Sequence, residues 1–310
     1  MSTEHGSDHS THTHAGHPHT APAGGDALGG VRRAPHDLPL GEWLSSTLAD
    51  GWEPEPTVEH AAVVGAADAA ARHRAALVGR FPRRPVVVPA GESPVRANDT
   101  HYGFRPSSAY VYLTSDHGEG AVLVIDGTGD ATIYLSQRLG PGTIEYVTDR
   151  RTGAVWVGGV PDGPTTAAAV GVTVRPRTEL AAALDALDEP LVLRGIDAEV
   201  DRLLPGANDG GLANAIDDLR AVKDTWEIDR LREACAATAR GFADVAREIP
   251  AVLAAGGRRG ERWLEGTFWR RARYEGNDVG YTSIVAAGPN GTSLHWASTD
   301  GDLVPGDLIL

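Results

Sequence analysis

Between Thr225 and Ile249 the chain reads TWEIDRLREACAATARGFADVAREI, and Ile228, Leu231, Cys235, Phe242, Val245 and Ile249 recur at spacings of three, four or seven. Charged residues fill the opposite positions, which predicts a long amphipathic helix with Cys235 on its buried stripe as a small hydrophobe. Helical spacing also marks EHAAVVGAADAAARHRAALVGRF (59–81), which ends at Phe81-Pro82, and it recurs in TTAAAVG, TELAAALDAL and GERWLEGTFWRRARYEG. Runs rich in β-branched and aromatic residues, bounded by Gly, Pro and Asp, predict strands. These are PVVVPA (85–90), SAYVYLT (108–114), AVLVI (121–125), ATIYL (131–135), GVTVRP and PLVLRG. Near the end, YTSIVAAGPNGTSLHW reads as strand, turn, strand, because GPNG supplies hairpin-turn residues, and LVPGDLIL reads as a turn and a further strand.

Helices that alternate with strands over 59–207 predict an α/β domain that stands alone as a fold. Residues 208–310 hold two helices, a hairpin and one unpaired strand, too little to close a core alone, so a second domain is expected to be incomplete here. Residues 1–58 form a tail and linker. Their first part is Ser, Thr, Gly, Pro, Ala and His, with His5, His9, His12, His14, His17, His19 and His36. That composition predicts disorder, with at most weak chelation of a divalent ion.

Composition then narrows the function. A formal charge of -14 argues against a nucleic-acid partner, which would need clustered Lys and Arg. No apolar stretch reaches the ~18–20 residues of a membrane span, and MSTEHGSDHS lacks the features of a secretory signal, so no membrane partner and a cytoplasmic location are expected. The lone cysteine, Cys235, excludes an internal disulfide and a multi-thiolate metal site. Any metal would have nitrogen and oxygen ligands.

The ordered blocks RANDTHYGFRPSSAYVYLTS, AVLVI, AVWVG, LRAVKDTWEIDRLREA, EGNDVGYTSIVAAGPNGTSLHW and GDLIL resemble aminopeptidase P (Xaa-Pro aminopeptidase) of the creatinase and methionine-aminopeptidase superfamily, from Glu59 to Leu310. The resemblance implies a creatinase-type N-terminal α/β domain followed by an α+β "pita-bread" catalytic domain holding two divalent metals, usually manganese. It implies cleavage of the bond between an N-terminal residue and a following proline by a metal-bridging hydroxide, with peptides carrying proline second as substrates and a homodimer or homotetramer as the assembly. The family's ligands are Asp, Asp, His, Glu and Glu, the first in a segment like GDLxLxDAG. Here the chain reaches GDLIL, so the resemblance places no metal ligand within it and implies that residues 1–310 are inactive alone.

By the same resemblance His295 is the catalytic histidine that steadies the oxyanion, against the plain reading of a partly buried imidazole beside Trp296. Tyr281 matches a tyrosine near the metal centre, or else simply packs. Asp99 and Trp156 match residues that reach the active site of a neighbouring subunit, or else are an Asx-turn cap and a core aromatic. Ser115 replaces a usual glycine, and GGVPDG follows Trp156 where relatives often carry arginines. Two other functions fit the residues: a non-catalytic creatinase-type oligomerisation or regulatory module, and a prolidase-like dipeptidase. RANDTHYGFRP with EGNDVGYTSIVAAGPNGTSLHW favours aminopeptidase P over prolidase.

Overall fold

Valine runs form the centre of the first unit because both of their faces are covered. The computed structural model describes residues 40–310 except 54–57, 98–99, 137–139 and 208, so the histidine-rich segment and Asp99 lie outside the described residues. In β1 (Val86–Pro89) and β4 (Val122–Ile125) every residue is buried. They pair antiparallel, β4 pairs antiparallel with β5 (Ala131–Leu135), and β6 (Thr173–Pro176) and β7 (Leu191–Val192) add in parallel at the two edges. The resulting order is β6-β5-β4-β1-β7. A small antiparallel ribbon, β2 (Val95–Ala97) with β3 (Thr100–His101), stands apart.

The two-residue period of the strands sorts the core into two layers. Val86, Val88, Leu123 and Ile125 face helices α2 (Ala66–Arg80), α3 (Ser108–Thr114), α6 (Gly163–Val170) and α9 (Leu212–Ala221). Val87, Val122 and Val124 face α7 (Leu180–Asp185) and α8 (Ala198–Leu203). Three short helices lie outside these layers: α1 (Glu42–Ala49), α4 (Glu145–Thr148) and α5 (Ala154–Val157). Helix α9 contributes Leu212 and Ile216 to the first core.

The second unit begins with α10 (Thr225–Ala254), which starts at a reciprocal capping box between Asp224 and Glu227. It packs along α11 (Gly260–Glu275) at close range. A side chain at Gly241 would place its Cβ 2.9 Å from the Phe268 ring. A small core of Val252, Leu264, Ala287 and Leu303 lies at the far end of this pair. Among the described residues no helix is long and apolar enough to cross a membrane.

Several predicted features differ. SAYVYLT is helix α3, not a strand: Tyr110, Leu113 and Thr114 are its buried residues, and that spacing is one helical face. Helix α2 begins at Ala66 rather than near Glu59, because Gly65 is left-handed at φ 79° and leaves room for the Trp226 ring. The run 281–296 is not a hairpin and LVPGDLIL does not end in an unpaired strand, since the two meet each other through a single bridge, Ala287 with Ile309: Ala286 and Leu310 exchange N–H···O bonds of 3.0 and 2.8 Å, and the Gly288 N–H donates to Leu308 O. Cys235 is exposed, and with it Leu231 and Phe242, although the Phe242 ring meets that of Phe268 at a centroid distance of 5.4 Å.

The layers predict a contrast between two leucines that sequence periodicity treats alike. Leu123→Ala, in the fully buried strand, is expected to cost ~2–5 kcal/mol in urea unfolding. Leu231→Ala, on the exposed stripe, is expected to cost less than ~1 kcal/mol. Comparable losses at both positions would contradict the packing described.

Candidate functional site

The histidine-bearing loop is organised by a buried acid. Helix α11 opens GERWLEG, and Glu261 lies in phase with Leu264 on the helix face that packs inward, so its carboxylate is fully buried. Oε1 accepts from the Ala287 N–H at 2.7 Å and from Asn290 Nδ2 at 2.9 Å. Oε2 accepts from Trp296 Nε1 and from the Gly301 N–H, both at 2.7 Å. Four donors satisfy the acceptor capacity of an ionised carboxylate, which is how a buried charge is tolerated. Burial by itself would push this carboxyl up, but the bonds from Asn290, Ala287, Trp296 and Gly301 outweigh it and hold it below the usual glutamate range.

Glycines let the backbone close around this carboxylate. A Cβ at Gly301 would lie 2.5 Å from Glu261 Oε1, and one at Gly257, where φ is +73°, would lie 2.1 Å from Leu303 O. The N–H of Leu303 donates to Gly257 O at 2.8 Å, fixing 301–303 beside the start of α11. Between these points runs a 3-10 turn, Gly288–Thr292, and then the stretch that carries His295.

His295 is exposed, with exposed Leu294 before it and the anchored Trp296 after it. The loop is therefore pinned at Asn290 and Trp296, with exposed His295 between them. Tyr281 is 82% exposed in the irregular stretch before Val285. Trp156 lies on α5 in the first unit, where its Nε1 donates to Val147 O at 2.8 Å and the Arg150 guanidinium stands 5.3 Å from the ring centroid. Its contacts are thus local to that unit, and Asp99 lies outside the described residues. Glu261, Asn290 and Gly301 escape a sequence reading that looks for reactive groups. The available signal was an acid in phase with an apolar helix face.

The nearby acids do not converge on His295. Asp300 accepts from Arg259 Nε at 2.8 Å, and Asp302 accepts from the Arg259 N–H at 2.7 Å. Among the described residues the three-member group spaced to hold a metal is His73, Asp224 and Glu227, at the junction of α2 and α10. The described residues around His295 therefore do not fit a dinuclear metal centre.

Comparison with known proteins finds two family matches along the chain. Residues 70–190 match the family described as "Aminopeptidase P, N-terminal domain", and residues 229–310 match "Metallopeptidase family M24". The latter implies divalent metal ions. The chain is 40% identical over 275 residues to Xaa-Pro aminopeptidase 2 of Streptomyces coelicolor, covering 86% of this chain and 57% of that protein. It is equally similar to Xaa-Pro aminopeptidase 1 of the same organism, covering 55% of it. The chain thus spans little more than half the length of these curated relatives. Its fold is similar to the zinc-substituted Escherichia coli aminopeptidase P in complex with product, at TM-score 0.64 and 22% identity, covering 82% of this chain and 59% of that one. The same fold appears in the E. coli enzyme with the inhibitor Pro-Leu, at TM-score 0.63 and 22% identity, covering 81% and 58%.

The Glu261 bonds make two expectations. Glu261→Gln replaces an acceptor by a donor that faces donors, and is expected to cost ~3 kcal/mol in urea unfolding; a loss within ~0.5 kcal/mol would show the carboxylate is dispensable. Because the folded carboxyl is held below its unfolded value, its contribution is complete above ~pH 4.3 and is lost as pH falls through the lower folded value. Acid titration of wild type against E261Q should show their stability difference shrinking over that interval. A difference that stays constant would contradict the assignment.

Proposed function

We propose that this chain, which belongs to the aminopeptidase P family, supplies the creatinase-type domain and the His295 loop of a metal-dependent Xaa-Pro aminopeptidase. The observation that carries the reading is the pinned loop: Glu261 holds Asn290 and Trp296, and an exposed imidazole lies between them. The substrate class is peptides with proline second. An Xaa-Pro bond is a tertiary amide without an N–H, next to a ring that fixes the backbone, so its cleavage calls for a dedicated site.

Within that enzyme the His295 ring N–H donates to the negative charge that develops on the scissile carbonyl oxygen, a role that requires fixed placement more than burial. Tyr281 and Trp156 supply edges of the substrate site, with Trp156 and Asp99 reaching a neighbouring subunit of a homodimer or homotetramer. The half-exposed indole of Trp156 supports that placement. Manganese is the metal proposed. The donor set near His295 does not hold it, so no step through the metal follows from these residues, and residues 1–310 by themselves are expected to be inactive.

Two measurements test the reading. Purified residues 1–310 should release no first residue from an Xaa-Pro dipeptide in Mn²⁺; robust turnover would refute the account of the ligands. A hybrid carrying the remaining length of the Streptomyces coelicolor relative after Leu310 should hydrolyse Xaa-Pro peptides. In it His295→Ala should lower kcat by ~10²-fold or more with metal content unchanged. Loss of bound metal in step with activity would make His295 a ligand instead.

A further inference from the structure

His73 presents an unusual arrangement at the junction of the two units. The residue is 7% exposed, and its ring stacks on Tyr112 with centroids 3.8 Å apart and planes 6° from parallel. Nδ1 lies 2.8 Å from Tyr112 O. A carbonyl can only accept, so Nδ1 carries a proton and donates. The other nitrogen, Nε2, is buried without a hydrogen-bond partner. It faces Asp224 Oδ2 at 3.3 Å and Glu227 Oε2 at 3.7 Å. In a neutral ring with Nδ1 protonated, that nitrogen would hold a lone pair close beside two carboxylates, which is repulsive. The arrangement calls for a positive occupant.

We propose that His73, Asp224 and Glu227 form a divalent-metal site of the zinc class that fastens the first unit to the start of α10. Nitrogen and oxygen ligands at ~2.0–2.2 Å around a tetrahedral ion stand ~3.3–3.6 Å from one another. The 3.3 and 3.7 Å separations are close to that range, and all three donor atoms lie within 4.8 Å of one another. The supporting contacts are those of a metal-bound imidazole and carboxylate: Tyr112 O fixes the tautomer, and Arg72 Nη2 donates to Asp224 Oδ2 at 2.8 Å. The remaining carboxylate bonds belong to the capping box, in which Asp224 Oδ1 accepts from the Glu227 N–H and Glu227 Oε2 accepts from the Asp224 N–H, each at 2.9 Å. Helix α2 supplies the histidine and the α10 N-terminus supplies both acids, so the ion bridges elements separated by about 150 residues of sequence. His73 and Glu227 also line the cleft between the units, which gives a water access to the fourth position.

The test uses the whole 310-residue chain, so that the histidines of its N-terminal segment are common to every sample. Wild type, His73→Gln and Glu227→Gln are titrated with Zn²⁺ against a chelator, with folding checked by circular dichroism. The glutamine of E227Q still accepts the Asp224 N–H, which keeps the cap while removing the charge. Wild type is expected to bind about one more Zn²⁺ than either variant, with affinity at that site reduced more than ~10-fold in both. Added Zn²⁺ should raise the melting temperature of wild type and not of the variants. If H73Q fails to fold, a visible Co²⁺ absorption band present in wild type and absent in E227Q decides the question. Equal Zn²⁺ stoichiometry and equal melting response in wild type and E227Q would overturn the proposal and leave a proton as the occupant.

Discussion

A single buried carboxylate, Glu261, gathers donors from residues 287 to 301 and gives the end of the second unit its shape. That stretch contains little regular structure to satisfy its own backbone, so a side chain takes the part that a neighbouring strand would otherwise play. The arrangement is all-or-none. Each donor is buried or partly buried against the same two oxygens, and loss of the acceptor strands all of them together. Glycine at 257 and 301 is what lets the backbone approach closely enough for the cluster to form.

The first unit supplies a different kind of rigidity. Its central strands are buried on both faces, between hydrophobic layers on either side. The two units meet where Trp226 Nε1 donates to Val64 O at 2.9 Å and where Arg72 and His73 approach the α10 cap. Gly65 is left-handed there and makes room for the indole, so the start of α2 and the start of α10 are shaped by each other.

Much of this was legible in the sequence, for definable reasons. Strands β1, β4, β5 and β6 coincide with predicted runs because valine and isoleucine between turn residues leave few other outcomes, and α10 follows its own periodicity. Helix α3 was hidden because Tyr and Val favour strands, whereas its identity rests on Tyr110 and Leu113 finding the first core, with Thr114 buried on the same face. Periodicity announced an apolar face on α10 but held no information on whether this chain covers it, hence the exposed Leu231, Cys235 and Phe242. At the site, the block containing Asn290 and His295 stood out, while its organiser did not. Glu261 becomes meaningful only when four donors from up to 40 residues away converge on it.

The central claim is that the His295 loop is held by Glu261 rather than being a free turn. Amide hydrogen exchange on the wild-type chain tests it most directly, because the Ala287 and Gly301 N–H groups bond to the carboxylate itself. The account predicts that both exchange as slowly as the amides around Val252 in the small core, while that of exposed Leu294 exchanges rapidly. Exchange at Ala287 and Gly301 as fast as at Leu294 would contradict it.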